Sequence, residues 1–257
     1  MNQHLSLFKL LARSSILKVL AVLVLMVAAE VSLFIRQAQK LGGQAGGFFL
    51  EDLFAESFFF MAFLAAFFAI AMLLYRTGSR PGSRQVYTLQ RLGISQYAII
   101  AWQSLWNLLC FLLLWAVQLW TVYLLLQNLL AKYPDAGFTQ HSIFLGFWRH
   151  PTLHGLLPMA DILVWIKNIV LFLAVSITTA YGSFIAYRTG KGSGIFIFML
   201  IQTVNYFPSS VNDSLFHFII ASITVILTLG LMFYMLYHKF ELEPDEPEKE
   251  EKPCAES

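Results

Sequence analysis

His150 and His154 stand four residues apart, a spacing that on a helix would offer two imidazoles to one metal ion. Pro151 would then have to occupy the first helical turn, where its missing N–H costs nothing. No cysteine or nearby glutamate completes a ligand set. The segment from Asn128 to Asp161, which also holds His141, therefore reads as a solvated or interfacial histidine cluster. Gly190-Lys191-Gly192-Ser193 has part of a phosphate-binding loop, but G-x-x-x-x-G-K-[ST] is absent and no strand precedes it. An intramembrane protease or hydrolase would need a nucleophile and base, paired acids or a metal set at matching depth. The chain has no Gly-x-Ser-Gly, His-Glu-x-x-His or Glu-Glu-x-x-x-Arg. No catalytic, metal or cofactor residue is expected.

The remaining polar candidates lie inside long apolar runs, where charge is costly and usually faces protein or a cavity. Counting along alternating spans brings Glu30, Glu56, Lys167, Asn168, Gln202, Asn205 and His217 to similar depth, toward the outer side. The expectation is a polar cluster in which Lys167 pairs with Glu30 or Glu56. The alternative is that Glu56 and Lys167 snorkel to the interface. Deeper, Gln103, Asn107 and Gln118 fall broadly on one helical face. They could line a path or join helices by hydrogen bonds.

The chain that must position these residues is a membrane protein. Of its 257 residues 58% are hydrophobic and 12% charged, against about 25% charged in soluble domains; mean hydropathy is +0.67. Crossing a bilayer takes about 20 apolar residues. Such runs occur at Ile16–Ile35, Leu53–Tyr75, Tyr97–Gln127, Ile162–Tyr187, Gly194–Phe207 and Leu215–Tyr237, the fifth short and ending at Pro208. The first resembles a signal peptide up to Ala28-Ala29, but it continues past Glu30 to Ile35 and reads as an uncleaved span. Ahead of it, Leu7, Phe8 and Leu11 oppose Lys9 and Arg13, a pattern suited to an interfacial helix. Cys110 lies in an apolar run and Cys254 in the tail, so no disulfide is expected.

Lys9, Arg13, Lys18, Arg76, Arg80, Arg84, Arg91, Arg188, Lys191 and Lys239 mark one set of span ends as cytosolic. Both termini then belong in the cytosol, consistent with six spans. Residues 1–240 form the membrane domain. Residues 241–257, rich in Glu, Pro and Lys, form an acidic tail expected to be disordered.

Tyr75-Arg-Thr-Gly-Ser79 and Tyr187-Arg-Thr-Gly190 open two cytosolic loops alike, which fits interfacial anchors followed by helix stops. The stretch Arg76–Ser95 holds four arginines and no acid. After the Pro81-Gly82 turn, Val86, Leu89 and Leu92 recur at helical spacing with Arg84 and Arg91 elsewhere on the wheel. A short amphipathic helix across the membrane face suits docking to a soluble partner; a basic loop that only enforces topology is the plainer alternative.

Tyr87-Thr-Leu-Gln-Arg-Leu-Gly-Ile-Ser95, then Trp102-Gln-Ser-Leu-Trp-Asn107 and the long third span, resemble the membrane subunit of bacterial ABC transporters of the type-2 export class. The resemblance implies an all-α permease with about six spans, both termini cytosolic, an N-terminal interfacial helix and a coupling helix between spans two and three. Arg84, Tyr87, Leu89, Arg91, Leu92 and Ser95 would dock a separate ATPase, with Arg188 and Lys191 in a secondary contact. ATP would bind that partner, and no cofactor would bind this chain. A second permease, identical or related, would complete the path in the bacterial plasma membrane, with no nucleic acid involved. Many members carry a sizeable element between spans five and six; here Pro208–Ser214 is only a short link. A stand-alone secondary transporter and a non-transporting scaffold are the other readings.

Overall fold

The computed structural model describes residues 2–41, 59–79, 96–132, 140–158, 161–189, 192–208 and 214–242. Every element among them is helical: α1 (Asn2–Leu41), α2 (Phe59–Ser79), α3 (Gln96–Lys132), α4 (Gln140–Arg149), α5 (Pro151–Leu156), α6 (Ile162–Thr189), α7 (Gly194–Tyr206) and α8 (Ser214–Leu242). Where lipid offers no hydrogen bonds, helices satisfy the backbone internally. Five of these helices, α1, α2, α3, α6 and α8, are long and apolar enough to cross a membrane. The six expected spans thus become five long helices and one shorter one. With 13 residues, α7 is about 20 Å long at 1.5 Å per residue, short of the roughly 30 Å hydrocarbon core.

The expected interfacial helix is not a separate element. α1 runs unbroken for 40 residues, because no Gly or Pro interrupts Asn2–Leu41. Its first turns pack on the start of α3 rather than standing alone. Phe8 meets the Trp102 and Trp106 rings edge-on at 5.9 and 5.5 Å, and Trp106 Nε1 donates to Ser15 Oγ at 2.7 Å.

α6 is the central helix and packs against α2, α3, α7 and α8. Its sequence explains this. Ala174, Ser176, Thr178, Thr179, Ala180, Gly182 and Ser183 are small and buried, which lets neighbouring backbones come close. The hydroxyls of Ser176 and Thr179 return to the carbonyls of Phe172 and Val175 and so present no open donor. Larger rings fill the rest: Phe111 stacks on Phe172 at 6.4 Å and is tilted against Phe67 at 5.4 Å.

The ends of the bundle are defined by these pairings. At one end Met232, late in α8, packs with Ile100 of α3 and Tyr181 of α6. There too, Tyr75 of α2 stacks on Phe196 of α7 at 4.7 Å, and its hydroxyl accepts the Ser193 N–H at 3.2 Å. A Cβ at Gly182 would meet Tyr75, Phe196 and Ser193 side-chain atoms at 3.0–3.2 Å, so any larger residue would have to push these side chains aside. At the other end Phe207, just past α7, lies 5.7 Å from Phe63 near the start of α2. The start of α1 and the late turns of α8 therefore share an end of the bundle, and α7 runs antiparallel to α2. Arg84–Ser95 and the 243–257 tail lie outside the described residues.

Candidate functional site

The end opposite the termini is closed by α4 and α5. Short helices leave carbonyls without intrahelical partners, and α5 has only six residues, with Pro151 in its first turn. Side chains from the bundle take up the orphans. Asn168 Nδ2 donates to Gly155 O at 2.6 Å, Trp115 Nε1 to Leu156 O at 2.9 Å, and Trp165 Nε1 to Pro158 O at 2.7 Å. Gly155 is required for contact on its other side: a Cβ there would overlap the Phe207 carbonyl. Three bonds and one backbone contact thus hold α5 onto α3, α6 and α7.

Three polar side chains are sealed beneath this cap. His154, Lys167 and Asn168 are 1%, 1% and 0% exposed. His154 Nε2, Lys167 Nζ and Asn168 Oδ1 are all buried without a hydrogen-bond partner. Unpaired buried polar atoms of this kind are uncommon in folded proteins and each is costly. Burial pushes the His154 imidazole below its ordinary value; the Asp161 carboxylate raises it and the Lys167 ammonium lowers it further. Asp161 itself caps α6, its Oδ1 accepting the Leu163 N–H at 3.1 Å. The Trp148 ring stands edge-on to His154 at 5.9 Å.

One helical turn along α6 from Asn168, Phe172 lines an apolar cavity of about 140 Å³ together with Phe60, Phe63, Phe67, Val204 and Phe207, with Thr152, Thr203 and Pro208 at its edges. Neither hydroxyl is open to it: Thr203 bonds Met199 O at 2.8 Å, and Thr152 shares a hydrogen bond with His150 Nδ1 at 2.6 Å.

No protein-family model, curated protein or solved structure matches this chain. What the site can do follows from its own groups.

The histidines do not form a solvated cluster. His141 is exposed and His150 half-buried, its ring stacked on Phe60 at 5.8 Å, whereas His154 is fully buried. His150 and His154 keep their helical spacing, but their rings have different neighbours. Among the described residues no group of three or more His, Cys, Asp or Glu could hold a metal.

The expected polar cluster divides. Lys167 has no hydrogen bond to Glu30 or to any other described residue, and at 1% exposure it does not snorkel to the surface. Glu30 is fully buried on α1, beside Gln118 of α3. Neither carboxylate oxygen and neither Gln118 amide atom reaches hydrogen-bond geometry. Depth alone put Glu30 and Lys167 together, but α1 packs on α2 and α3 while Lys167 belongs to the α6 layer. His217 lies 6.3 Å from the Tyr206 ring with Nδ1 unpartnered, and Asn205 is exposed. Glu56 lies outside the described residues.

The third-span amides likewise part company. Gln103 Nε2 donates to Ser183 Oγ at 2.8 Å and Asn107 Nδ2 to Ser176 O at 3.3 Å, so both join α3 to α6, while Gln118 faces α1. Of the residues expected to make cytosolic contacts, Arg188 falls in the last turn of α6; Lys191, Arg84, Tyr87, Leu89, Arg91, Leu92 and Ser95 lie outside the described residues. Gly155, Trp115 and Trp165, which fasten the cap, carried no sequence signal beyond two tryptophans inside apolar runs.

Proposed function

We propose that the chain is the membrane permease subunit of an ATP-driven exporter in the bacterial plasma membrane, moving a peptide, a drug-like amphiphile or a lipid. The reading rests on the resemblance of Tyr87–Ser95 and Trp102–Asn107 to such permeases, and one structural observation supports the layout it implies: the start of α1, the end of α2, the start of α3, the end of α6 and the late turns of α8 share an end of the bundle. Arg80, Arg84 and Arg91 in one stretch, and Arg188 and Lys191 in another, fall in the chain between helices that meet at that same end, and such charge favours the cytosol. With α7 counted as a sixth crossing, both termini are cytosolic there.

A separate ATPase would dock on Arg84–Ser95, with Arg188 and Lys191 beside it, and a second permease, identical or related, would complete the path. Closure of the ATPase would bias the bundle between two arrangements. The test is co-purification with a candidate ATPase subunit, comparing the intact chain with Leu89→Asp plus Leu92→Asp. Loss of the ATPase from a folded double variant is the expected result. Full retention contradicts docking through this segment and leaves a stand-alone transporter or scaffold.

A further inference from the structure

We infer that His154, Lys167 and Asn168 hold the anionic head of a single-chain amphiphile, whose apolar tail enters the phenylalanine-lined cavity between α2, α6 and α7. A lysine that is 1% exposed, whose Nζ has no hydrogen-bond partner and feels the Asp161 carboxylate only through space, is a buried cation whose desolvation is poorly offset. An anion from outside the chain removes that cost.

The neighbours of Lys167 then define the head more closely. An anionic oxygen can accept from Lys167 Nζ and from His154 Nε2–H, which the neutral imidazole presents in one of its two tautomers. Asn168 cannot rotate its amide to help, because Nδ2 is fixed to Gly155 O at 2.6 Å. Its Oδ1 therefore remains an acceptor without a donor, and only an N–H or O–H on the ligand can satisfy it. The head that matches is an anion with one donor beside it: an acylated amino acid or an alkyl phosphate monoanion.

The tail has its place one helical turn away. Phe172 follows Asn168 by four residues and lines the cavity, as does Phe207, whose carbonyl abuts Gly155. Thr152 reaches the cavity from the helix that carries His154. A dry space of about 150 Å³ takes a benzene-sized hydrocarbon, so a cavity of about 140 Å³ takes part of an alkyl chain, with the remainder running out to lipid. Such a site goes beyond the permease reading and needs no ATPase partner, so the chain alone can be tested.

The full chain, purified in neutral detergent, is titrated with N-octanoylglycine, N-octanoylglycinamide and octyltrimethylammonium, and binding is followed by calorimetry. The expected order is anion, then neutral amide, then cation. Lys167→Met should weaken N-octanoylglycine at least about tenfold and leave the neutral amide unchanged, while Lys167→Arg retains the anion preference. Val204→Trp, which fills the cavity, should weaken both acyl ligands.

Equal binding of the three probes, or unchanged anion affinity in a folded Lys167→Met, overturns the proposal. Should Lys167→Met not fold, the probe series on the unaltered chain and on Val204→Trp decides alone. Repeating the titration in nanodiscs with and without lysophosphatidylglycerol separates two sources of the head: competition identifies a single-chain membrane lipid, its absence a free amphiphile. Both results support the anion site.

Discussion

Asn168 and Gly155 are joined by a 2.6 Å hydrogen bond from a side-chain amide on α6 to a carbonyl at the end of α5. The bond does two things at once. It removes an orphan carbonyl from a helix too short to satisfy its own, and it fixes which way the Asn168 amide points. A buried asparagine in a membrane helix thus acts as a fastener and, through its other atom, as an open acceptor.

Gly155→Ala tests the tightness of that junction. The added methyl meets backbone, the Phe207 carbonyl, which cannot swing aside like a side chain. Overpacking of this kind costs about 1–3 kcal/mol, so the melting temperature in detergent should fall. Gly230→Ala is the control, because nothing lies within 4 Å of its Cβ position, and it should be neutral or mildly stabilising.

Asn168→Ala leaves the Gly155 carbonyl unpaired, and Trp165→Phe does the same to Pro158 O. Each change should cost about 1–3 kcal/mol. Hydrogen exchange resolves where the loss falls: amides of 150–158 should exchange faster, while those of α1 stay protected. Uniform acceleration along the chain would mean that the cap is not a separable unit.

The His154 imidazole is held below its ordinary value of 6.5, first by burial, then through Lys167, against the opposing pull of Asp161. An unfolded or detached cap binds the proton more readily than the folded one. Stability is therefore complete above about pH 6.5 and falls as pH drops below it, toward the lower folded value. A melting-temperature profile should show this decline, and His154→Gln should flatten it. The edge-on Trp148 ring offers a second readout, since its fluorescence should change over the same range in the parent and not in the variant.

Glu30 makes a different prediction. Its oxygens and the Gln118 amide are buried side by side without a hydrogen bond, so a negative charge there is a burden. Glu30→Gln should leave stability unchanged or raise it. A loss comparable to breaking a buried ion pair, about 3–5 kcal/mol, would reveal a partner for Glu30. Unchanged transport and assembly in the same variant would remove Glu30 from the mechanism.

Helix positions were legible from apolar length. Ile162–Tyr187 became Ile162–Thr189, and Gly194–Phe207 became Gly194–Tyr206. The shortness of the fifth segment was also legible, because Pro208 stops the run. Lateral neighbours were not. Counting residues along a span gives depth, one coordinate of three, so Glu30 and Lys167 could be levelled but not assigned to different layers. The wheel put Gln103, Asn107 and Gln118 on one face, yet α3 touches both α1 and α6 along that face. Gly155 was invisible for another reason: its role is a contact with Phe207, 52 positions away in the chain (207 − 155), and a single glycine after a histidine announces no such approach. The interfacial helix failed because amphipathic turns can equally open a longer helix whose polar side has somewhere to go.

α6 carries two of the three cap bonds and Lys167 near one end and the Gly182 junction with Tyr75, Ser193 and Phe196 near the other, in 28 continuous helical residues. A straight α-helix resists stretching and bending far more than it resists tilting as a whole. Whatever settles under the cap and whatever pulls on the loops beyond Tyr75 therefore hold opposite handles of one stiff lever, and neither can move it without the other feeling the swing.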